Sequence, residues 1–431
     1  MLARYESVKI VGAGISGIVC ALTLAKSKIG KNFSIKVFEN TDRPGGRAHA
    51  VKVQNSFVDL GAGRFSSNLH HNVKKEIMNF GLPYEPFPFT KLWQSHEFHK
   101  SLKGVLRELK PLLVEHENDS FLDFLTFYIG GERAEKMIDA LGYDSLSLPN
   151  ITPRIAFDII EKHPETQGFS DNSGDAWYNL EEGFSSLTEA LYKQAVEYGV
   201  EFYFNHRLMS VDLDSTCPSF TFLKDGEKKV RVSGDYNVLA LPPTVMSRLD
   251  CGFPQDWSDC TYGAIPLFKG FLFYDSPWWE ELGLTDHVMI TSNQLRKLYF
   301  KGDKYIFFYT DGDCANFWKD SSERGAEYYL KTVKELILDA LPSPLNELPD
   351  PVDHTCKYWQ HGVEFANEYG PQHPLSLVSK CSRIISTSDA YTPHCGWMEG
   401  GIMAGRNAAE IILSRVSLKQ QEDDEKVACQ A

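Results

Sequence analysis

The sequence has no apolar run long enough to span a bilayer: its most apolar stretch, near Ile18 to Ala25, falls far short of the roughly 20 residues a spanning helix needs. Met1 to Ser7 is polar and mixed in charge and lacks the apolar core of a signal peptide, so a soluble, cytoplasmic protein is expected. There is no long basic run, and the net charge is −14, which argues against partners held by phosphate contacts, whether nucleic acid or anionic membrane. No C-x-x-C occurs among the nine scattered cysteines, a pattern of reduced thiols rather than of a disulfide framework or a zinc site. The 13 histidines include the pair His70-His71 but form no H-E-x-x-H, so no metal is expected. No internal repeats interrupt the 431 residues, which are too many for one ordinary core and imply two or three lobes.

What is present begins at Val8. An apolar strand runs into Gly12-Ala13-Gly14-Ile15-Ser16-Gly17, and a helix-forming run to Lys26 follows at once. In such a turn the first glycine permits the sharp bend, the second lets backbone approach a pyrophosphate, and the third lets the helix pack close to the strand. The helix start then offers N–H groups and a positive dipole end to phosphates. A second strand, Ser34 to Phe38, ends in Glu39, which lies 22 residues past Gly17 and suits a ribose hydroxyl. The order strand, glycines, helix, strand, acid predicts a dinucleotide site.

Three further stretches carry candidate chemistry. Arg43-Pro44-Gly45-Gly46-Arg47 follows Glu39 closely; its glycines allow close backbone approach, and Arg47 is a forked cation suited to phosphate or a polar ring edge. Gly61-Ala62-Gly63-Arg64 is a second glycine-rich turn, after which Arg64 is a carboxylate anchor, a phosphate contact or a surface charge. A third strand, Arg383 to Asp389, leads through Gly396-Trp397-Met398-Glu399-Gly400 into a helix, again placing backbone N–H groups at an anionic or electron-rich ligand.

Between these, 70–182 shows apolar residues at three- and four-residue spacing and is expected to be mainly helical. Tyr143 and His163 within it are ambiguous between structure and site. Strands are expected at 201–204, 208–213, 220–222 and 236–241, with Val211 on a strand that flanks an adenine. From 251 to 375 β character dominates. The apolar run Pro266 to Tyr274 contains one lysine, Lys269, which either snorkels out or serves a site. In Lys304 to Thr310, alternation puts Tyr305, Phe307 and Tyr309 on one face, where Tyr309 is core or site. A helix is expected over 323–340, and 416–431, polar and acidic, as a disordered tail.

Glu39-x-x-x-Arg43-x-Gly45-Gly46-Arg47 and Gly396-Trp397-Met398-Glu399-Gly400 together resemble the glutathione-reductase-like flavoprotein amine oxidases. The resemblance implies a mixed α/β fold. A discontinuous Rossmann-like FAD-binding domain would take 1–69, 183–250 and 376–415, with a helical domain at 70–182 and a β-sheet substrate domain at 251–375. Gly61-Ala62-Gly63-Arg64, Lys162-His163-Pro164-Glu165, Pro266 to Phe271, Phe300 to Tyr305, Lys357-Tyr358-Trp359, His361 to Phe365 and Ser388 to Thr392 look, more narrowly, like the L-tryptophan oxidases of violacein pigment biosynthesis, over residues 7–414. That likeness implies oxidation of L-tryptophan to the imine of indole-3-pyruvate, with O2 reduced to H2O2 and the imine passed to a downstream coupling enzyme; a homodimer is left open.

The residue roles so implied are these. Arg64 and Tyr309 hold the substrate carboxylate, and Lys269 contacts the flavin N5 through water. Tyr143, His163 and Glu399 shape the pocket around indole and amine. FAD contacts fall at Gly12, Gly14, Ser16, Gly17, Glu39, Gly46, Arg47, Gly61, Ala62, Gly63, Arg64, Val211, Asp389, Trp397 and Met398. The family's covalent flavin link uses a cysteine near 361–369; none stands there, so noncovalent FAD is expected. Rival readings are a flavin oxidase of another aromatic amino acid or amine, such as a polyamine oxidase, a protoporphyrinogen-oxidase-like desaturase, and a noncatalytic flavin-binding scaffold.

Overall fold

The computed structural model describes residues 6–87, 89–93, 96–163, 166, 176–212, 218–246, 248–249, 262–342, 345–366, 376–378 and 383–430. Pro164, Glu165 and the expected boundary at 250/251 lie outside them.

In chain order, β1 (Glu6–Val11), α1 (Ile15–Lys26) and β2 (Phe33–Phe38) precede a hairpin of β3 (Ala50–Val53) and β4 (Ser56–Asp59). Next come β5 (Phe65–Ser66), α2 (His71–Phe80), β6 (Tyr84–Pro86), β7 (Thr90–Trp93), α3 (His96–Leu109), α4 (Phe121–Ile129), α5 (Gly131–Leu141), α6 (Pro153–Lys162) and β8 (Trp177–Leu180). The chain continues through α7 (Ser185–Glu197), β9 (Glu201–Tyr203), β10 (His206–Asp212), β11 (Ser219–Lys224), β12 (Lys228–Ser233), β13 (Tyr236–Leu239) and α8 (Pro243–Met246). It ends with β14 (Tyr262–Phe273), β15 (His287–Ile290), β16 (Lys297–Lys301), β17 (Tyr305–Asp311), α9 (Gly312–Glu323), α10 (Ala326–Ala340), β18 (Asp353–Ala366), β19 (Ser376–Val378), β20 (Ile384–Thr387) and α11 (Met398–Gln430).

Two six-stranded sheets organise the molecule. The first has the order β19-β20-β13-β1-β2-β9 and is parallel except where β19 meets β20. Parallel strands need crossovers and are buried on both faces, which explains why β1 and β13 are buried along almost their whole length, Glu6, Lys9 and Asn237 included. Ile18, Val19 and Leu22 of α1 and Ile402, Ala408 and Ile412 of α11 share its core. Val73 and Ile77 of α2 share it too, so α2 packs with the core of this sheet rather than with the helices that follow. The antiparallel meander β10-β11-β12 packs Leu208, Val211, Phe220 and Phe222 against Val11 and Phe38.

The second sheet, β18-β14-β17-β16-β15-β7, is antiparallel except where β15 meets β7. Its two faces differ by strand alternation. Tyr305, Phe307 and Tyr309 join a core with α4, α5 and α6, whereas Ile306 and Phe308 join one with α9 and α10.

Three expectations change. The stretch 70–182 is not only helical: it supplies edge strand β7 to the second sheet, and β6 and β8 pair with each other. The helix expected at 323–340 begins only at Ala326: Gly325, whose φ of 106° suits glycine, separates it from α9, which ends at Glu323. The tail is no coil: α11 continues to Gln430, because Val416 is buried in the first core and the Lys419 ammonium donates to Glu6 Oε1 at 2.7 Å. Among the described residues no helix is long and apolar enough to cross a membrane.

Candidate active site

The C-terminal ends of β1 and β2 open into a cavity of about 830 Å³ that extends to the inner face of the second sheet. At its first end Gly12 turns with φ of 100°, and a Cβ there would sit 2.4 Å from Ala240 O, so no side chain fits. Helix α1 starts after Gly14 with no side-chain cap, and Gly14, Ile15 and Ser16 line the cavity, so the first-turn N–H groups face it. Gly17 does not line it: a Cβ at Gly17 would lie 2.0 Å from Gly12 O, so this glycine seats the helix on the turn.

Glu39 lines the cavity with both carboxylate oxygens engaged. Oε2 accepts from Ala13 N at 2.8 Å, and Oε1 from Thr41 N at 2.8 Å and Thr41 Oγ1 at 2.9 Å. The carboxylate therefore braces the glycine turn. The neighbouring Arg43 donates to the carbonyls of Pro44, Ala48 and Gly46 and fixes the Gly45-Gly46 loop. Arg47 is paired with Asp389 and donates to Gly362 O at 3.1 Å, so it clamps three chain segments together at the cavity wall. Asp389 also accepts from Gly396 N at 3.0 Å, which ties in the turn before α11.

At the far end Arg64, half-buried, has its Nη1 3.2 Å from Tyr299 Oη, and its guanidinium carbon is 5.5 Å from the Phe87 ring centre and 6.0 Å from that of Tyr309. Tyr299 is itself stacked on Phe307 with centroids 4.2 Å apart. Lys269 does not snorkel out. Its Nζ donates to Asp59 O at 3.1 Å and Gly61 O at 2.6 Å, beside Gly63 and on the cavity wall. Tyr143, buried to 1% exposure, shares a 2.9 Å hydrogen bond with His163 Nδ1, and the His163 ring lies 5.1 Å from Trp397.

Burial unbalances the titratable groups here. Desolvation pushes the Asp59 carboxyl up to about 7, against the pull of the Lys269 ammonium and the Phe184 N–H, which donates to Asp59 Oδ1 at 2.8 Å. Burial, with the neighbouring His394 and His163, takes His70 down to about 3, so it is neutral and its Nδ1 accepts from Ser66 N at 3.0 Å. The Asp59 shift has a consequence for stability. Between the ordinary carboxyl range and about pH 7 the folded state holds a proton that the unfolded chain has released, so stability falls as pH rises through that window. Asp59→Asn removes this part of the slope. In thermal melts at pH 5 and pH 8 the wild type is expected to lose more Tm between the two than the variant; parallel losses would show that Asp59 is ionised throughout.

The structure gathers Gly12, Gly14, Ser16, Glu39, Gly46, Arg47, Gly61, Ala62, Gly63, Arg64, Tyr143, His163, Lys269, Tyr309, Asp389, Trp397 and Met398 around one cavity. Two expected site residues stand apart from it, as does Gly17. Glu399 is buried and its carboxylate accepts from Asn72 N at 3.0 Å, Asn72 Nδ2 at 2.6 Å and Val73 N at 2.9 Å; it caps α2 instead of facing a substrate. Val211 is packed in the meander core and is not among the lining residues. Sequence reasoning missed Asp59, Phe87, Tyr299 and Trp359. Tyr299 was legible in principle from alternation along β16. Trp359, whose Nε1 donates to Leu60 O at 2.7 Å, depended on pairing across 299 residues.

Known proteins are similar to this chain in sequence and in fold. Residues 160–413 match the family described as flavin containing amine oxidoreductase, and residues 10–79 the NAD(P)-binding Rossmann-like domain. The chain belongs to the flavin-containing amine oxidoreductases. This oxidoreductase is 22% identical over 469 residues to the L-amino acid oxidase Cdc18 of Crotalus durissus cumanensis, covering 94% of this chain and 90% of the relative. The L-amino-acid oxidase of Sistrurus catenatus edwardsii is likewise 22% identical over 467 residues, covering 94% and 87%. Among solved structures, putrescine oxidase bound to putrescine superposes with a TM-score of 0.71 at 16% identity, over 95% of this chain and 99% of that one. FAD is the cofactor. The cavity fits it: Gly12, whose side-chain space is closed, and the uncapped start of α1 suit its pyrophosphate, while the cavity continues past Arg47 and Asp389 to Lys269.

Proposed function

We propose that this oxidoreductase oxidises aromatic L-amino acids, with L-tryptophan as the preferred substrate. One observation carries the reading: Arg64 lies at the cavity's far end within a wall of aromatic rings, Phe87, Tyr299 and Tyr309. A guanidinium pairs with a carboxylate through two parallel hydrogen bonds, and the rings accept a flat apolar side chain. A diamine would instead meet a like charge, so the putrescine-type substrate is disfavoured.

FAD, when bound, supplies the two-electron acceptor that dioxygen regenerates. The chain's own residues orient and exclude. Arg64 and Tyr309 hold the carboxylate and so fix the Cα–H direction. Tyr143 and His163 border the side chain, and Lys269 holds a water at the reacting edge. The substrate loses two electrons and two protons to become the imino acid, and dioxygen takes both to become hydrogen peroxide. An imine of indole-3-pyruvate is reactive in water, so the product suits a partner that couples it, as in violacein-type pigment synthesis in a cytoplasm.

The test is an anaerobic titration of the yellow protein with L-tryptophan, L-phenylalanine, L-leucine, tryptamine and spermine. Flavin absorbance is expected to bleach first with L-tryptophan and not with spermine. Bleaching by spermine alone would replace the reading with an amine oxidase; bleaching by none would leave a flavin-binding scaffold.

A further inference from the structure

Lys297 is fully buried, at 0% exposure, yet the reaction just described gives it no task. Its ammonium lies 3.5 Å from the ring centre of Tyr143 and 4.6 Å from that of Tyr309. It donates to Gly142 O at 2.6 Å, and Asp311 Oδ1 is 3.7 Å away. Gly142 is the C-cap of α5, so the ammonium also meets the negative end of that helix. Asp311 in turn accepts from Asp144 N at 3.2 Å and from the Ser145 hydroxyl. The adjacent Arg296 points elsewhere, to Asp139 and Asp144. Burying an ammonium is costly unless it is paired, and here two of its partners are aromatic faces.

Those two rings belong to the cavity wall. Tyr143 and Tyr309 both line it, with centroids 6.4 Å apart and planes at 72°. The rings thus form a corner: one presents a face where the other presents an edge. Tyr143 sits just past the end of α5 and Tyr309 on β17, and the ammonium lies against both.

We propose that Lys297 is a positioning residue for substrate specificity: its ammonium, held against both rings, fixes the corner of Tyr143 and Tyr309 that receives a flat aromatic side chain. The inference rests on the reading of the cavity as an amino-acid site, and it concerns the side-chain end alone. The carboxylate is held by Arg64 and the Tyr309 hydroxyl, whereas the corner uses the ring surfaces, so removing the ammonium loosens the aromatic contact and leaves the Arg64 contact intact.

The probes are indole-3-acetate and propionate, carboxylates with no amine to oxidise, titrated into FAD-loaded enzyme by calorimetry. For Lys297→Met, indole-3-acetate is expected to bind about tenfold more weakly, while propionate binds as it does to the wild type. The kcat/KM ratio of L-tryptophan to L-leucine falls by the same factor, and the limiting rate of flavin reduction by L-tryptophan is unchanged. Equal weakening of both probes, or an unchanged ratio in a folded and FAD-loaded variant, overturns the proposal. Lys297→Gln, which keeps a donor for Gly142 O but no charge over the rings, carries the same expectation should the Met variant not fold. A wild-type enzyme that no amino acid reduces would refute the proposed substrate, while the ratio of the two carboxylates would still test the corner.

Discussion

Arg64→Ala is expected to raise the KM for L-tryptophan by about a hundredfold or more, the cost of removing one member of a desolvated, hydrogen-bonded charge pair. FAD content should hold, because the pyrophosphate cradle at Gly12 to Ser16 lies at the other end of the cavity. The surrounding wall should hold as well: Tyr299 loses its 3.2 Å neighbour but stays stacked on Phe307. Tryptamine separates the effects. It has the indole and the amine without the carboxylate, so the wild type should prefer L-tryptophan over it strongly and Arg64→Ala should prefer neither. Arg64→Lys should recover only part of the preference, since an ammonium cannot make two parallel bonds to a carboxylate. Steady-state peroxide release with the two substrates measures all three proteins. An Arg64→Ala enzyme that keeps the wild-type KM and the wild-type preference would remove Arg64 from the substrate.

How much of this site the sequence discloses depends on the range of the interaction. The glycine turn, α1 and Glu39 lie within the 28 residues from Gly12 to Glu39, and their order in the chain carries their arrangement. Alternation along β17 separates Tyr305, Phe307 and Tyr309 from Ile306 and Phe308 with no further information, because a strand has only two faces. Glu399 shows where this stops. The turn before α11 does border the cavity through Trp397 and Met398, but the next side chain faces the start of α2, 327 residues earlier in the chain. Helical geometry moves successive residues about 100° around the axis, and only the neighbouring helix decides which of them meets a ligand.

The misread tail has a similar cause. Its composition is that of a solvated segment, yet one buried valine and one ion pair to Glu6 at the opposite end of the chain extend the helix. Lys297 stands in the sequence as half of an Arg296-Lys297 basic pair, and nothing local to it marks it as buried. Its burial follows from the register of β16 against β17, which sets it opposite Tyr309. Polar residues that pack against one another across such distances leave no mark in periodicity, and they account for most of what the sequence alone did not reveal.

Lys269→Met should slow turnover by about a hundredfold, the scale seen when one preorganised donor is removed from a site of developing charge. The loss is expected in the oxygen half-reaction: a fixed ammonium at the cavity wall stabilises the negative charge that dioxygen acquires as it is reduced. Stopped-flow mixing of anaerobically reduced enzyme with oxygen reads that step separately from reduction by substrate. The alternative physical role is purely structural, because the same Nζ bonds Asp59 O and Gly61 O and thereby shapes the loop that carries Arg64. Lys269→Gln distinguishes the two. Its amide can donate to those carbonyls but brings no charge, so a structural role predicts recovery and an electrostatic one predicts none. Asp59 sharpens the contrast, since its carboxyl, held near pH 7 by burial, is the counter-charge that loses its partner in either variant. Without the ammonium its proton should be held to still higher pH, so any residual pH dependence of reoxidation moves upward in Lys269→Met. Unaltered reoxidation in both variants would leave Lys269 as a strut for the 59–63 loop and nothing more.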